Sequence, residues 1–237
     1  MTKDTFTKKF WLSILINFGG MLAVLTLARQ VAGNSGVIYL TIASLWFIFL
    51  LFFNLKLFGG YVAAQWHEFA KNKWRNILYV VIVLVLLEVA VTVANLYFHQ
   101  FIPSAKSAGI VQYEFSTVTI VGTLWGIVGG LGDLVAAFVE ELAYRHESMY
   151  VFKSKGKVLT GIMVIVSSLL FGFSHYYNFN GSLIATMPYV IAGVVLSLSY
   201  LLSKNFWVPT LAHLLFNSLS ILSALVLLGI QLVDVIR

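Results

Sequence analysis

Seven apolar runs, each long enough to cross a bilayer, constrain this chain more than any other feature of its sequence. They cover residues 10–28, 37–55, 77–98, 131–151, 158–176, 183–202 and 207–228. Backbone in lipid must satisfy its own N–H and C=O groups, so such runs predict an all-α, polytopic transmembrane helix bundle. Composition agrees: 60% of residues are hydrophobic and 10% charged, with a mean hydropathy of +0.92, values outside the range of soluble domains. The first run is about 20 residues long, more than the apolar core of a cleaved signal, and is expected to remain as a spanning helix.

Charge sets the orientation. Lys3, Lys8 and Lys9 precede the first run; Lys56, Lys71, Lys73 and Arg75 fall between the second and third; Lys153, Lys155 and Lys157 fall between the fourth and fifth. The alternate connections hold only Arg29 and Lys106, with no basic residue around 177–181. The positive-inside rule places the amino terminus in the cytoplasm and the carboxyl terminus outside. The net charge of +6 is spent on topology and implies no nucleic-acid partner. Cysteine is absent, which excludes a cysteine nucleophile, a disulfide framework and thiolate metal ligands.

Two connections carry more than a tether. Residues 58–75 mix Trp66, Phe69 and Trp74 with basic side chains, the pattern of a short helix lying in the cytoplasmic interface. Residues 117–130 are apolar but too short for a full span, and read as an interfacial or re-entrant segment. Gly122, Gly126 and Gly130 recur there at four-residue spacing and would offer a smooth packing face. With no repeat or soluble stretch, 1–237 is one membrane domain: residues 1–110 form accessory helices and 117–229 a motif-bearing core.

Isolated charges inside apolar helices are costly and point to function. Glu88 is one such charge, for which a structural role comes first. The denser case is 131–150, LGDLVAAFVEELAYRHESMY. On a helix Glu141 and Arg145 share a face and Glu140 and Tyr144 the adjoining one, so Arg145 can neutralise Glu141 and leave Glu140 free for chemistry. The other reading of the two glutamates is a helix end just outside the membrane. Further on, LLFGFSHYY places His175 four residues after Phe171, and WVPTLAHLLFN sets His213 and Asn217 one turn apart. A carboxylate, two imidazoles and an amide are an inventory for activating water and stabilising an oxyanion.

Glu140-Glu141-x-x-x-Arg145, Phe171-x-x-x-His175 and His213-x-x-x-Asn217, in that order, resemble the three motifs of the CPBP intramembrane proteases, which include the CAAX prenyl endopeptidases and the Abi bacteriocin-processing and bacteriocin self-immunity proteins. The resemblance implies that Glu140 is the general base, that His175 helps hold the attacking water, and that His213 and Asn217 bind the oxyanion, with Glu141 and Arg145 a supporting pair. It implies a membrane-embedded or lipid-adjacent peptide substrate, a bacterial cell membrane, and no cofactor. A zinc ion on Glu140, His175 and His213 is the alternative mechanism, since the family has also been described as metal-dependent. Two departures stand out: His146 follows Arg145 where many relatives have glycine, giving a further polar group near the site, and Ala136, Ala137 and Phe138 occupy the stretch where a proline is frequent. Counted by helical rise, His175 also lies farther from the cytoplasmic edge than His213, so their convergence requires a tilt or an early start of the fifth helix.

Two other classes compete with the endopeptidase. A non-enzymatic immunity or scaffold protein would keep the fold and tolerate loss of Glu140. A proton-coupled transporter would use Glu88, Asp133 and an interrupted helix at 122–132. Oligomeric state is open at this level.

Overall fold

The computed structural model describes residues 8–33, 35–102, 119–179 and 181–236. Every element among them is helical. Seven helices are long and apolar enough to cross a membrane: α1 Lys8–Ala32, α2 Gly36–Lys71, α3 Lys73–His99, α4 Ile120–Phe152, α5 Lys157–Ser174, α6 Ile184–Ser203 and α7 Trp207–Val235. The chain is an integral membrane helix bundle. Lys3, Lys106 and the first two residues of 117–130 lie outside the described residues.

Ends are set by local chemistry. Gly33 closes α1 at φ 55°, and Ser35 opens α2 by accepting a hydrogen bond from the Ile38 N–H. Thr119 caps α4 in the same way, through the Gly122 N–H. Lys204, left-handed at φ 55°, ends α6 and donates its N–H to the Tyr200 carbonyl.

Two expectations are corrected here. Residues 58–75 form no separate interfacial helix: α2 continues through them to Lys71, and at 36 residues is about 54 Å long. Its far end is tied to the bundle, because Asn205 Nδ2 donates to the Gln65 carbonyl, the Phe206 N–H to Gln65 Oε1, and Trp207 Nε1 to the Val62 carbonyl. Trp66 stacks on Phe69 and meets Trp207 edge-on; of the three aromatics that the sequence assigns to an interface, Phe69 is buried, while Trp66 and Trp74 stay exposed. The second correction concerns 117–130, whose described part is neither re-entrant nor interrupted. It is the first turns of α4, α-helical without a break from Ile120 to Glu140.

α4 packs on α7 and α2, while α6 packs on α5 and α3. The close approaches use glycines: a Cβ at Gly172 would lie 2.2 Å from a methyl of Val190, and one at Gly193 would lie 2.9 Å from the Cα of Ser168. Gly130 meets Ile221 of α7, but a Cβ at Gly126 would meet nothing within 4 Å, so the four-residue glycine stripe is not one packing face. α3 turns Val81, Ile82, Val85, Leu86, Val89 and Val93 outward, as a helix bordering lipid does.

Candidate active site

α4 changes winding at the motif. Ile120–Glu140 is α-helical and Glu141–Glu147 is π-helical, a form that recurs at functional sites. The wider turn must find partners for its backbone, and two are visible. The Ser148 N–H reaches the Ala143 carbonyl, and the Tyr144 carbonyl accepts hydroxyl hydrogens from Ser148 at 2.6 Å and Ser167 at 2.5 Å.

Both glutamates are inside the bundle, not at an exposed helix end: Glu140 is 7% exposed and Glu141 0%. Glu141 is the hub. One carboxylate oxygen lies 3.3 Å from Arg145 Nε, and the other accepts from His213 Nδ1 at 3.0 Å. Committing Nδ1 to Glu141 turns the opposite nitrogen of His213 toward Glu140, with Nε2 4.0 Å from Glu140 Oε2. Arg145, without exposure, spreads its guanidinium over the Phe171 ring at 4.3 Å.

His175 ends α5 and donates from Nδ1 to the Phe171 carbonyl at 2.9 Å, which leaves Nε2 as its free nitrogen. Its ring stacks on Tyr189 at 4.2 Å. Phe171 joins the two imidazoles, its ring 5.2 Å from His175 and 5.6 Å from His213. The two histidines therefore converge on one aromatic ring despite their unequal distances along their helices. Asn217 lies one turn beyond His213, and its amide donates to the Asp133 carbonyl at 3.1 Å, linking α7 to α4 two turns before Glu140.

A small cavity of about 80 Å³ adjoins the carboxylate, lined by Glu140, His175, Asp133, Ser174, Asn178 and Tyr39 among others. Asp133 precedes Glu140 by seven residues, two helical turns on the same face; that spacing is visible in the sequence, whereas Asn178 and Tyr39 carry no local signal. His146 does not approach this cavity. It stacks on Tyr61 at 3.9 Å, with the Tyr200 hydroxyl 3.5 Å from its Nδ1, in an aromatic nest completed by Phe58 and Tyr150. Glu88 lies half-buried on α3 and lines no part of it.

Glu140, His175 and His213 are of the donor types that zinc accepts. Among the described residues, however, no three His, Asp or Glu side chains converge closely enough to hold a metal ion.

Fold and site together define a polytopic membrane protein with a buried carboxylate–imidazole cluster at the meeting of α4, α5 and α7. Residues 127–219 match the family model described as type II CAAX prenyl endopeptidase Rce1-like, a span that includes Glu140, Glu141, Arg145, His175, His213 and Asn217. The CPBP resemblance of the three motifs is thus borne out over this stretch, which indicates an enzyme of the CAAX protease type. α1, α2 and α3 lie outside it. No curated protein and no solved structure gives a match.

Proposed function

We propose that the protein is an intramembrane endopeptidase that hydrolyses a peptide bond in a membrane-embedded or lipid-adjacent peptide by glutamate-activated water. The observation that carries this is the relay Arg145–Glu141–His213–Glu140. Two partners balance Glu141, which orients His213, whose Nε2 then faces Glu140 across 4.0 Å. That gap is too long for a direct hydrogen bond and suits a single bridging oxygen.

In the proposed step Glu140 takes a proton from water as the water oxygen bonds to the scissile carbonyl carbon. His175, held by the Phe171 carbonyl, presents Nε2 to that water. His213, its Nδ1 held by Glu141, turns Nε2 to donate to the developing oxyanion, together with the amide hydrogen of Asn217 not given to Asp133. The tetrahedral intermediate collapses with cleavage of the C–N bond. Glu140 returns its proton to the leaving nitrogen, giving a carboxylic acid and an amine. No step needs a metal, and a zinc-dependent route is the alternative.

The substrate belongs to the same proposal: a bacterial peptide processed in the cell membrane, in signal- or bacteriocin-peptide maturation or in self-immunity, with the amino terminus cytoplasmic. The apolar surroundings and the family match over 127–219 support a lipid-adjacent peptide.

The test is turnover of a panel of membrane peptides by purified protein in liposomes. Glu140→Gln should lower the rate by at least about 10²-fold, the usual scale for a general base, and His175→Ala should lower it too. A strong chelator should leave turnover unchanged; loss on chelation and recovery with zinc would establish the metal route. If Glu140→Gln keeps full activity, or full bacteriocin resistance in cells, the protein acts by binding and not by hydrolysis.

A further inference from the structure

Six residues beyond Glu141, the same π-helical turn ends in a second buried carboxylate that the proposed reaction does not use. Glu147 is 1% exposed, and its Oε2 accepts from Asn17 Nδ2 at 2.9 Å. Asn17, 1% exposed on α1, also lies 3.0 Å from the Ser13 hydroxyl, and exchanges amide hydrogen bonds of 2.8 and 3.0 Å with Asn54 of α2. Ser13 and Asn54 have no exposure at all. Four polar side chains from three helices thus meet in the buried interior, where hydrogen bonds are strong and an unmade one is expensive.

The node sits where the π-helix needs it. A π turn holds one residue more than the α-helix would, and losing that residue rotates everything beyond it by about 100°. Such a winding persists only where tertiary bonds hold it. Ser167 of α5 and Ser148 take up the Tyr144 carbonyl at mid-turn. Glu147 anchors the end of the turn to α1 and, through Asn17, to α2, two helices that carry none of the three motifs. Asn17 itself lies in the π-helical stretch Leu15–Gly20 of α1, so two irregular turns are fastened to each other.

We propose that Glu147, held by Asn17, which Asn54 in turn orients, is a positioning residue that locks the π register of 141–147 and so keeps Glu141 aligned on Arg145 and His213. The catalytic consequence rests on the protease reading; the lock itself does not.

Hydrogen–deuterium exchange of the full chain in detergent micelles tests the lock without a substrate. Asn17→Ser and Asn54→Ser retain a polar atom but cannot span the node, and each should speed exchange of the 141–148 amides by tenfold or more while α3 and α6 change by less than twofold. Glu147→Gln keeps a carbonyl oxygen for Asn17 and should stay within about threefold of wild type, whereas Glu147→Leu should match Asn17→Ser. On a cleaved membrane peptide, the Ser and Leu variants should lose kcat tenfold or more with KM unchanged. Unchanged exchange over 141–148, equal acceleration in all helices, or Glu147→Gln behaving as Glu147→Leu would each overturn the lock. If Glu140→Gln retained turnover, the protease reading would fall and the exchange result would still decide the lock.

Discussion

Arg145 shows how one side chain can serve both fold and site. Its guanidinium is fully buried, with one ion pair among the described residues, to Glu141 at 3.3 Å, and the face of Phe171 at 4.3 Å. Removing one partner of such a pair leaves an uncompensated buried charge, so Arg145→Ala should lower stability by about 3–5 kcal/mol. Lysine keeps the charge but not the planar group that stacks on a ring, so Arg145→Lys should recover less than half of that loss. Thermal unfolding in a fixed detergent, followed by circular dichroism, checks both; equal midpoints for Arg145→Lys and wild type would remove the role given to the stacking. The Glu141–Arg145 contact was legible in the sequence because four-residue spacing survives at the start of the π turn. The Glu141–His213 bond was not. Its partners are 72 residues apart and no local pattern ties them, although it decides which way the imidazole faces. His146 misled for a related reason: adjacency to Arg145 suggested the site, whereas the turn carries it into the Tyr61–Tyr200 nest.

At the scale of elements, apolar length was a sound guide to the number of helices and a poor guide to where two of them end. α2 passes through 58–75 because Gln65 and Val62 offer acceptors that Asn205, Phe206 and Trp207 fill; these are tertiary contacts, invisible to hydropathy. α4 begins at Ile120 and needs no re-entrant turn, since Thr119 supplies a cap and Gly129, Gly130 and Gly132 let it lie close to α2 and α7. Glycine spacing alone did not tell which of these positions are close-packed. At Gly172 an added Cβ would stand 2.2 Å from a Val190 methyl and 2.7 Å from the Val190 backbone nitrogen, and backbone cannot give way as a side-chain tip can. Gly172→Ala should therefore part α5 from α6 and cost about 1–3 kcal/mol, with His175, three residues on, displaced and turnover reduced. Gly126→Ala is the matched control. It faces open space on α4 and should be neutral or stabilising by up to about 1 kcal/mol. Unfolding midpoints of the two variants in one detergent decide between them, and equal midpoints would show that the α5–α6 crossing relaxes.

At the scale of the molecule, the cavity beside Glu140 can be placed along the helices that line it. Its walls are Met21 and Leu25 late in α1, Tyr39, Leu40 and Ser44 early in α2, and Ser174 and His175 at the end of α5. These walls belong to the half of the bundle away from the α2–α3 turn, where Lys71, Lys73 and Arg75 cluster. The α4 wall, however, holds Asp133, Ala136 and Glu140, and Glu140 faces His213, six residues into α7, whose start is bonded to Gln65 and Val62 near that turn. If the basic end is cytoplasmic, as charge asymmetry predicts, the α1, α2 and α5 walls of the cavity face the outer side, while Glu140 and His213 lie deeper, toward the cytoplasmic ends of α4 and α7. The absence of cysteine makes the orientation directly measurable. Asn72→Cys, exposed between α2 and α3, should react with a membrane-impermeant maleimide only after the cells are opened. Gln100→Cys, exposed just beyond α3, should react in intact cells. The reverse pattern would turn the molecule over and exchange the sides on which these walls lie.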